Sequence, residues 1–587
     1  MENHLLFTLI SFVFFTALVG VIAAKMVTSD DQTTSKGYFL AGQGLSGIFI
    51  AGSMLLTNIS AEGLVGLNGQ SYGKNLSGMA WESTAVIATV VMAIVFLPIY
   101  LRKGYTTLPE FLEDRYDKGV RRLVSLLFLA GYTLFGIPVC LYAGAIGFNQ
   151  IFDLSKIFGI SPSLSMTVMI ILLGIIGALY AVFGGLKAVA VSDTINGVLL
   201  IIGGLLVPIL GLWVLGKTQG GGIITGLSNV VNTNPEKLSA IGGPKDPVPF
   251  PTIFTGMVLA NLFYWGTNQV LIQRVLGAKN LKEGQKGVLL SGFFKILVPI
   301  ILLFPGIIAF HLIPGLPKAD FAYPQLVARV LPWPLVGLFC AALFGAIIST
   351  YNSLLNSAST IFMLDVYKPA INPNIKDHDL VKKAKIVGII MAVFAMVVAP
   401  SLQSVDGIYN FGRAVTGFYN MPIIAAVLAG MFTKKATALG IKIAVGFHIV
   451  FYTLMKYVVK IDTPDSLFGF SVHFLHVFAF SVICMFIIMF VVSLIKPDVK
   501  EFNRNSVVNK GYDMTPWEHA GSISFLLIAF LIYIYIILSP LGIATENKNY
   551  GFIIIVTLVM AALAVIVFGK IAVKKYVRKS VIEEAVE

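Results

Sequence analysis

The stretch SMLLTNISAEGLVGLNGQ, residues 53–70, places polar groups in the middle of an otherwise apolar segment. Asn58 contributes an amide, Thr57 and Ser60 contribute hydroxyls, and Glu62 contributes a carboxylate. Contacts between small residues of neighbouring helices would explain the hydroxyls and glycines, but a carboxylate at membrane depth needs a partner or water. We therefore interpret the stretch as a broken membrane helix, whose freed backbone carbonyls are suitable ligands for a hard cation such as Na⁺.

The composition of the whole chain indicates an all-α polytopic membrane protein. The chain has 587 residues, of which 57% are hydrophobic and 12% are charged. Apolar runs of roughly 20 residues, enough to cross a bilayer as a helix, recur from end to end. They predict about 15 membrane-spanning helices, near residues 4–27, 46–72, 78–101, 123–151, 163–184, 190–216, 251–273, 287–313, 333–367, 386–400, 405–432, 436–455, 467–495, 519–539 and 550–569.

The distribution of charge predicts the orientation of these helices. The net charge is +13, and about two thirds of the 42 lysines and arginines fall in the connections of one side if the N-terminus lies outside. This asymmetry follows the positive-inside rule and places the C-terminus inside. The positive charge therefore reflects topology, and we expect no nucleic-acid partner. The three cysteines fall within predicted helices, so neither a disulfide framework nor a cysteine metal site is indicated.

One apparent nucleotide motif lies in the wrong structural setting. The octapeptide GLWVLGKT, residues 211–218, matches the phosphate-loop pattern, but it ends an apolar helix and does not join a strand to a helix. The metalloprotease pattern H-E-x-x-H does not occur in the sequence. We therefore expect no nucleotide, no cofactor and no enzymatic activity.

A second interrupted helix lies five predicted spans after the first. Its sequence is ANLFYWGTNQVLIQR, residues 260–274, in the seventh span. Counted from the second span, the two interruptions open two groups of five helices. Broken helices at corresponding positions of two halves are typical of inverted-repeat transporters, whose binding site lies near the membrane midplane.

The ninth predicted span, GAIISTYNSLLNSASTIF (residues 345–362), is rich in hydroxyl groups. Tight packing of small residues would account for Ser357 and Ser359. Ser349 and Thr350 are adjacent, and their two oxygens could complete a sodium shell together with carbonyls of the broken helix.

Two further carboxylates lie within predicted spans, and each has two interpretations. Glu82 directly follows Trp81, so it could hold sugar hydroxyls while the ring stacks on the sugar, or it could form a buried ion pair with Lys295 or Arg413. These two roles do not exclude each other. Asp193 could be a station for a leaving cation or an N-cap of a helix.

Several motifs together resemble the sodium/solute symporter family, in particular its bacterial sodium/sugar branch, related to the sodium–glucose cotransporters. The resemblance covers roughly residues 35–495 and is carried by GYFLAGQGLSG (37–47), NISAEGLVG (58–66), NLFYWGTNQVLIQR (261–274) and LNSASTIFMLDVYK (355–368). It implies the inverted-repeat (5+5) leucine-transporter fold. The expected division is an extra N-terminal helix (1–36), a first repeat (37–216), an outer loop (217–250), a second repeat (251–432) and peripheral C-terminal helices with a cytoplasmic tail (433–587).

The resemblance also implies binding residues. The family's sodium site maps onto the carbonyls of Leu56, Ile59 and Ala346 and the hydroxyls of Ser349 and Thr350. Its sodium-exit carboxylate maps onto Asp193, and its sugar contacts map onto Glu82, Asn261, Tyr264 (the stacking aromatic ring) and Lys295. Sugar-binding side chains of a galactose-type relative are replaced here by Gly63, Ala85 and Arg413. Arg413 could pair with an acidic sugar through two hydrogen bonds.

These observations predict a Na⁺-coupled symporter of the bacterial inner membrane that imports a sugar or sugar derivative by alternating access. An acidic sugar, such as a sialic or uronic acid, is the first alternative. A transporter-like solute sensor is an alternative of another class, but the C-terminal tail of roughly 18 residues is too short for a signalling domain. An uncoupled channel fits the two interrupted helices less well.

Overall fold

The computed structural model describes residues 2–27, 34–152, 154–405, 408–463, 465–500, 502, 503, 506, 509 and 511–584. Parts of the connections that follow the first and the thirteenth predicted spans, and of the C-terminal tail, lie outside the described residues. Within the described residues the secondary structure is helical, and the β pairing found there is one isolated bridge between Leu45 and Ala278.

The helices of the first half of the chain, in order, are α1 (Glu2–Val27), α2 (Ser35–Leu40), α3 (Gly47–Asn58), α4 (Ala61–Gly73), α5 (Ala80–Ser83), α6 (Ala85–Val91), α7 (Leu97–Lys103), α8 (Leu108–Arg115), α9 (Lys118–Ala130), α10 (Ile137–Phe152), α11 (Leu154–Phe158), α12 (Pro162–Lys217) and α13 (Ile223–Thr233). Short π-helical segments at Met92–Phe96 and Gly131–Gly136 join α6 to α7 and α9 to α10. Each joined pair therefore continues as one membrane-length helix.

The helices of the second half are α14 (Gly256–Gly266), α15 (Gln269–Leu276), α16 (Leu281–Leu297), α17 (Pro299–Leu302), α18 (Phe304–Leu312), α19 (Ala322–Val330), α20 (Trp333–Ile361), α21 (Lys368–Ala370), α22 (Asp377–Val398), α23 (Ile408–Phe432), α24 (Ala438–Thr453), α25 (Phe474–Ile495), α26 (Ala520–Ile537) and α27 (Tyr550–Glu584). Further π-helical segments lie at Phe362–Tyr367 and Leu454–Val458. Short 3₁₀ turns lie at Ala41–Gln43, Leu76–Met79, Pro235–Leu238, Phe250–Phe254, Ala319–Phe321 and Ala399–Ser404.

Twelve helical stretches of the described residues are long and apolar enough to cross a membrane, and the bent pair α3–α4 raises the number to 13. They coincide with predicted spans. The remaining two predictions, 4–27 and 251–273, correspond to α1 and to α14–α15. The apolar stretch found in α1 covers Ile10–Val19 only, and the other span is broken. The polytopic all-α class is thus confirmed, while the total of 15 helices and the sides of the two termini stay predictions.

The longest helix, α12, holds two of the predicted spans. It has 56 residues, which at 1.5 Å per residue would be roughly 84 Å of straight helix, more than twice the hydrocarbon thickness. Its two apolar windows, Pro162–Leu179 and Val189–Lys217, each suffice for one crossing. Asp193 lies inside this helix, four residues into the second window, so the interpretation of Asp193 as a helix N-cap is wrong: the helix runs through it and does not begin there.

The first predicted interruption is present as a bend of 58° between α3 and α4. At the bend, the amide of Ser60 donates to the carbonyl of Asn58 and not to that of Leu56 four residues earlier. The hydroxyl of Ser60 then accepts from the amide of Gly63 at 3.1 Å and caps α4. The serine therefore begins α4 two residues after α3 ends at Asn58.

The second predicted interruption separates α14 from α15. The amides of Thr267 and Asn268 both donate to the carbonyl of Phe263, and the Asn268 side chain caps α15 by accepting from the amide of Val270 at 3.0 Å. The hydroxyl of Tyr132 donates to the same asparagine oxygen at 2.6 Å. A polar residue from another helix thus holds the break in place.

Candidate functional site

The bend between α3 and α4 faces the hydroxyl-rich part of α20. The hydroxyl of Thr350 donates to the carbonyls of Thr57 and Ala346, both at 3.1 Å, and the hydroxyl of Ser349 lies 3.4 Å from that of Thr57. Ala346 is fully buried, as are Leu56 and Ile59, the bend residues on either side of Thr57 and Asn58. The structure therefore brings the two predicted halves of the sodium site into contact, with α3 on one side and α20 on the other.

A buried carboxylate, that of Asp193, lies next to this contact. Asp193 is 1% exposed and accepts a hydrogen bond from Ser53 at 2.6 Å. The hydroxyl of Thr57 lies 3.5 Å from the same carboxylate oxygen and 3.4 Å from Ser349. Thr57 is thus a polar bridge between the hydroxyls of α20 and Asp193.

Arg274 is the cationic partner of this carboxylate, and sequence reasoning gave it no role in the site. Its guanidinium lies 3.6 Å from Asp193, donates to Ser53 at 2.7 Å, and donates also to Ser353. It is 1% exposed. A basic residue at the end of the broken seventh span was a usable signal, because a buried arginine requires a nearby acid.

Glu82 forms a buried ion pair with Lys295. Of the two candidate partners, Lys295 and Arg413, Lys295 is therefore the one in contact. Glu82 is 3% exposed and Lys295 is 1% exposed. The ammonium group donates to Glu82 and also to the side-chain oxygen of Asn58, at the end of α3. The pair therefore connects α5 and α16 to the bend.

Two adjoining cavities lie beside the bend. One, of about 580 Å³, is lined by Trp81, Glu82, Asn261, Tyr264, Arg413 and nine other residues. The other, of about 880 Å³, extends towards Thr57, Ser60, Glu62 and Thr350. Tyr264 and Arg413 border both cavities. The predicted substrate contacts Trp81, Glu82, Asn261 and Tyr264 thus border a cavity that adjoins the one bordered by the predicted sodium ligand Thr350.

Arg413 lies against aromatic rings and keeps one donor without a partner. Its guanidinium carbon is 5.0 Å from the ring centre of Trp81 and 4.7 Å from that of Tyr409. The Trp81 ring also lies edge-on to Tyr409 at 6.5 Å and stacks on Phe474 at 6.2 Å. Among the described residues no hydrogen-bond partner is found for the buried Nε of Arg413. Because a guanidinium does not lose its proton, this N–H is available to a ligand.

Helix α23 supplies polar lining residues that sequence reasoning missed. Thr416, Tyr419 and Asn420 line the smaller cavity together with Arg413, and the buried side-chain oxygen of Asn420 has no partner among the described residues. Positions 413, 416 and 420 follow helical spacing and therefore share one face. That periodicity was the signal that could have found them.

Two predicted substrate residues lie apart from the cavity walls. Among the described residues that line the two cavities, neither Gly63 nor Lys295 is present. A Cβ on Gly63 would meet Leu302 and Ser60, both at 3.7 Å, an ordinary contact distance. Lys295 instead lies behind Glu82 as its counter-ion. Asn261 does line the smaller cavity, where its amide donates to Thr84 at 2.8 Å.

Comparison with known proteins agrees with this architecture. The family model described as the sodium:solute symporter family matches residues 38–445, and the chain therefore belongs to the sodium:solute symporter family. The uncharacterized symporter YidK of Escherichia coli (strain K12) is 42% identical over 535 residues, 91% of each chain. The sodium/glucose cotransporter of Vibrio parahaemolyticus is 31% identical over 470 residues, 76% of this chain and 84% of that one.

Among solved structures, a Na⁺-coupled sialic acid symporter in a substrate-bound outward-open state superposes with a TM-score of 0.70, at 20% identity, over 84% of this chain and 99% of that chain. A likeness at this identity shows the fold alone. Together the comparisons confirm the predicted family resemblance and show a membrane transporter and not an enzyme. Family membership also makes Na⁺ the coupling ion implied for this chain.

Proposed function

We propose that the protein imports a sugar or sugar derivative across the bacterial inner membrane by Na⁺-coupled alternating access. The observation that carries the proposal is that the broken helix α3–α4 touches both regions: it contacts the Thr350 hydroxyl and borders the cavity that continues to Tyr264. A cation and a solute bound there would act on the same bend. Each ligand could then change the affinity for the other, as coupled transport requires.

The proposed sodium ligands are the carbonyls of Leu56, Ile59 and Ala346 and the hydroxyls of Ser349 and Thr350. All five are oxygen donors, which a hard cation prefers. The Thr350 hydroxyl already joins the two helices that would supply them. We assign Asp193 to cation release, because Thr57 connects it to Ser349 by hydroxyl contacts of 3.4 and 3.5 Å.

The proposed direct substrate contacts are Trp81, Glu82, Asn261 and Tyr264. Lys295 would act through Glu82. Gly63 and Arg413 occupy the positions where sugar-binding side chains of a relative are replaced. A neutral, hydroxyl-rich solute is favoured by charge balance. Lys295 compensates Glu82, and Glu62 and Arg413, one of each sign, both border the larger cavity. The site therefore contains no excess charge that an ionised solute would have to neutralise.

The proposed cycle follows from the fold. Two five-helix repeats, 37–216 and 251–432, would rock about the bend, with the N-terminus outside and the C-terminus inside. Na⁺ must bind the outward-facing conformation better than the inward-facing one, because only a differential affinity shifts a conformational equilibrium. The membrane potential contributes about 2.3 kcal/mol per charge per 100 mV in addition to the concentration gradient.

Uptake into proteoliposomes tests this function. The purified protein should accumulate one or more members of a panel of labelled neutral sugars and sugar acids when Na⁺ is higher outside. Replacing the Na⁺ gradient by an equal K⁺ gradient should abolish accumulation. Accumulation that is equal with and without Na⁺ would contradict sodium coupling.

An acidic sugar is the second candidate, and it rests on the unpartnered Nε of Arg413. A carboxylate could accept from this N–H and gain a charge-assisted bond. If so, Arg413→Gln should weaken uptake of sugar acids by roughly tenfold or more, because a hydrogen bond to a charged group contributes about 1.5–3 kcal/mol. Uptake of neutral sugars should stay unchanged. Arg413→Lys is the matched control that keeps the charge but loses the planar fork. An unchanged ranking of acidic and neutral sugars in Arg413→Gln would remove this candidate.

A further inference from the structure

A third cavity lies at one end of the helices, apart from the transport site. It is a cleft of about 1360 Å³ between the end of α23, the short helix α8 and the segment that follows α25, and it shares no lining residue with the two cavities beside the bend. Its described walls combine three cations with apolar side chains, namely Arg115, Lys434, Lys500, Phe432, Val499 and Phe502. We refer to it as the basic cleft.

Arg115 is the buried anchor of the basic cleft. It is 1% exposed, and its Nε and Nη2 donate to the carbonyls of Gly430 and Thr433 at 3.1 and 2.9 Å. These bonds cap the C-terminal end of α23, where free carbonyls favour a cation. The buried Nη1 has no partner among the described residues. An unpaired N–H of a permanently charged group is costly, so a ligand that accepts from it is stabilised.

The acidic residues of α8 are engaged with cations outside the basic cleft. Glu113 pairs with Arg121 at 2.5 Å, and Asp114 pairs with Lys103 at 3.1 Å. Asp114 also interacts electrostatically with Lys500, without forming an ion pair with it. Lys500 donates to the backbone carbonyl of Glu113, at 2.9 Å, and not to its carboxylate. Among the described residues no ion pair is found for any of the three cations of the cleft. Its excess of positive charge is therefore available to an anion.

The rim of the basic cleft is apolar and exposed. Phe432, the last residue of α23, is 58% exposed and Val499 is 38% exposed. Leu494 and Ile495, at the end of the membrane helix α25, are 62% and 75% exposed. A phosphate bound by the three cations would thus lie at the end of two membrane helices, beside apolar side chains that can contact a hydrocarbon chain.

We propose that the basic cleft binds the phosphate group of an anionic phospholipid in the leaflet on the side of the basic connections, with Arg115 donating through Nη1 and Lys434 and Lys500 closing on the phosphate oxygens. A planar guanidinium beside ammonium groups suits a phosphate. The apolar rim favours a lipid over free phosphate as its source. This role is independent of the solute that the protein transports.

Thermal unfolding of the full-length protein in lipid nanodiscs tests the proposal, because a ligand that binds the folded state raises the unfolding temperature. The probe is phosphatidylglycerol, added in increasing proportion to phosphatidylcholine. The double variant Lys434→Gln, Lys500→Gln removes two exposed cations and leaves the buried Arg115 in place. It should require roughly tenfold or more phosphatidylglycerol for half of the wild-type rise, since each basic residue near an anionic surface contributes about fivefold or more.

The matched control is the double variant Lys382→Gln, Lys435→Gln, which removes the same charge from exposed lysines that do not line the basic cleft. It should respond to phosphatidylglycerol as the wild type does. Equal responses of the two double variants would overturn the cleft as the binding site. An equal rise produced by inorganic phosphate in pure phosphatidylcholine nanodiscs would overturn the lipid as its ligand.

Discussion

At the scale of single residues, the buried side chains of Lys295 and Glu82, together with the half-buried Asn58, organise the centre of the protein. Lys295 donates to Glu82 and to Asn58, and it therefore connects a carboxylate of the proposed sugar site to the helix that carries the proposed sodium ligands. Its ammonium is also 5.7 Å from the ring centre of Trp265. Because Lys295 neutralises the charge of Glu82, a solute competes for the hydrogen bonds of this carboxylate and does not need to supply a positive charge.

The Glu82–Lys295 pair makes a prediction about stability. Lys295→Met leaves Glu82 buried without a counter-ion and should destabilise the protein by about 3–5 kcal/mol, the usual cost of breaking a buried pair from one side. Adding Glu82→Gln should restore most of that loss, because the uncompensated charge is gone. Unfolding of the two variants in detergent, followed by intrinsic fluorescence, measures the difference. A double variant no more stable than Lys295→Met would contradict the pairing.

The sequence revealed some of these residues and could not reveal their pairings. Lys295 and Arg413 were both reasonable partners for Glu82, since each is a cation within a predicted span. Only the packing of α5 against α16 selects Lys295. Arg274 meets Asp193 across 81 positions of the chain, and no local pattern encodes such a contact. Polar residues in apolar segments could be identified from the sequence, but their partners depend on tertiary structure.

At the scale of elements, the two broken helices are the features that the sequence predicted best. Both carry a polar or glycine residue at the break, and both restart with a side-chain cap, Ser60 for α4 and Asn268 for α15. The break also explains why the predicted seventh span is not among the helices that are long enough to cross a membrane. Neither α14, with 11 residues, nor α15, with eight, is long enough to cross alone.

The cap at Ser60 gives a prediction at this scale. Ser60→Ala removes the acceptor for the Gly63 amide and should lower the free energy of unfolding by about 1 kcal/mol, the usual value of an N-cap. Because the cap fixes the bend that carries the sodium carbonyls, the Na⁺ concentration for half-maximal uptake should rise as well. Ser60→Thr, which retains a hydroxyl, is the control. Loss of stability without any change in the Na⁺ dependence would separate the cap from the sodium site.

At the scale of the whole molecule, the chain has the fold of a Na⁺-coupled transporter, and its central helices place the proposed ion and solute regions side by side. Helix α20 packs against both α3 and the long helix α12, so Ser349 and Thr350 are held against the bend, and Thr57 lies between Ser349 and Asp193. Family and fold followed from motifs and composition. The predicted number of membrane crossings and the predicted sides of the two termini rest on hydropathy and charge alone. Both depend on where the bilayer lies.

Na⁺-driven sugar uptake by the double variant Ser349→Ala, Thr350→Ala tests the central claim most directly, with Ser357→Ala, Ser359→Ala as the control that removes two hydroxyls of the same helix away from the bend. Each lost oxygen ligand should cost about 1–1.5 kcal/mol. The first variant should therefore need at least roughly tenfold more Na⁺ for half-maximal uptake, or lose uptake, while the control stays within about threefold of the wild type. Unchanged Na⁺ dependence in Ser349→Ala, Thr350→Ala would contradict the proposed sodium site.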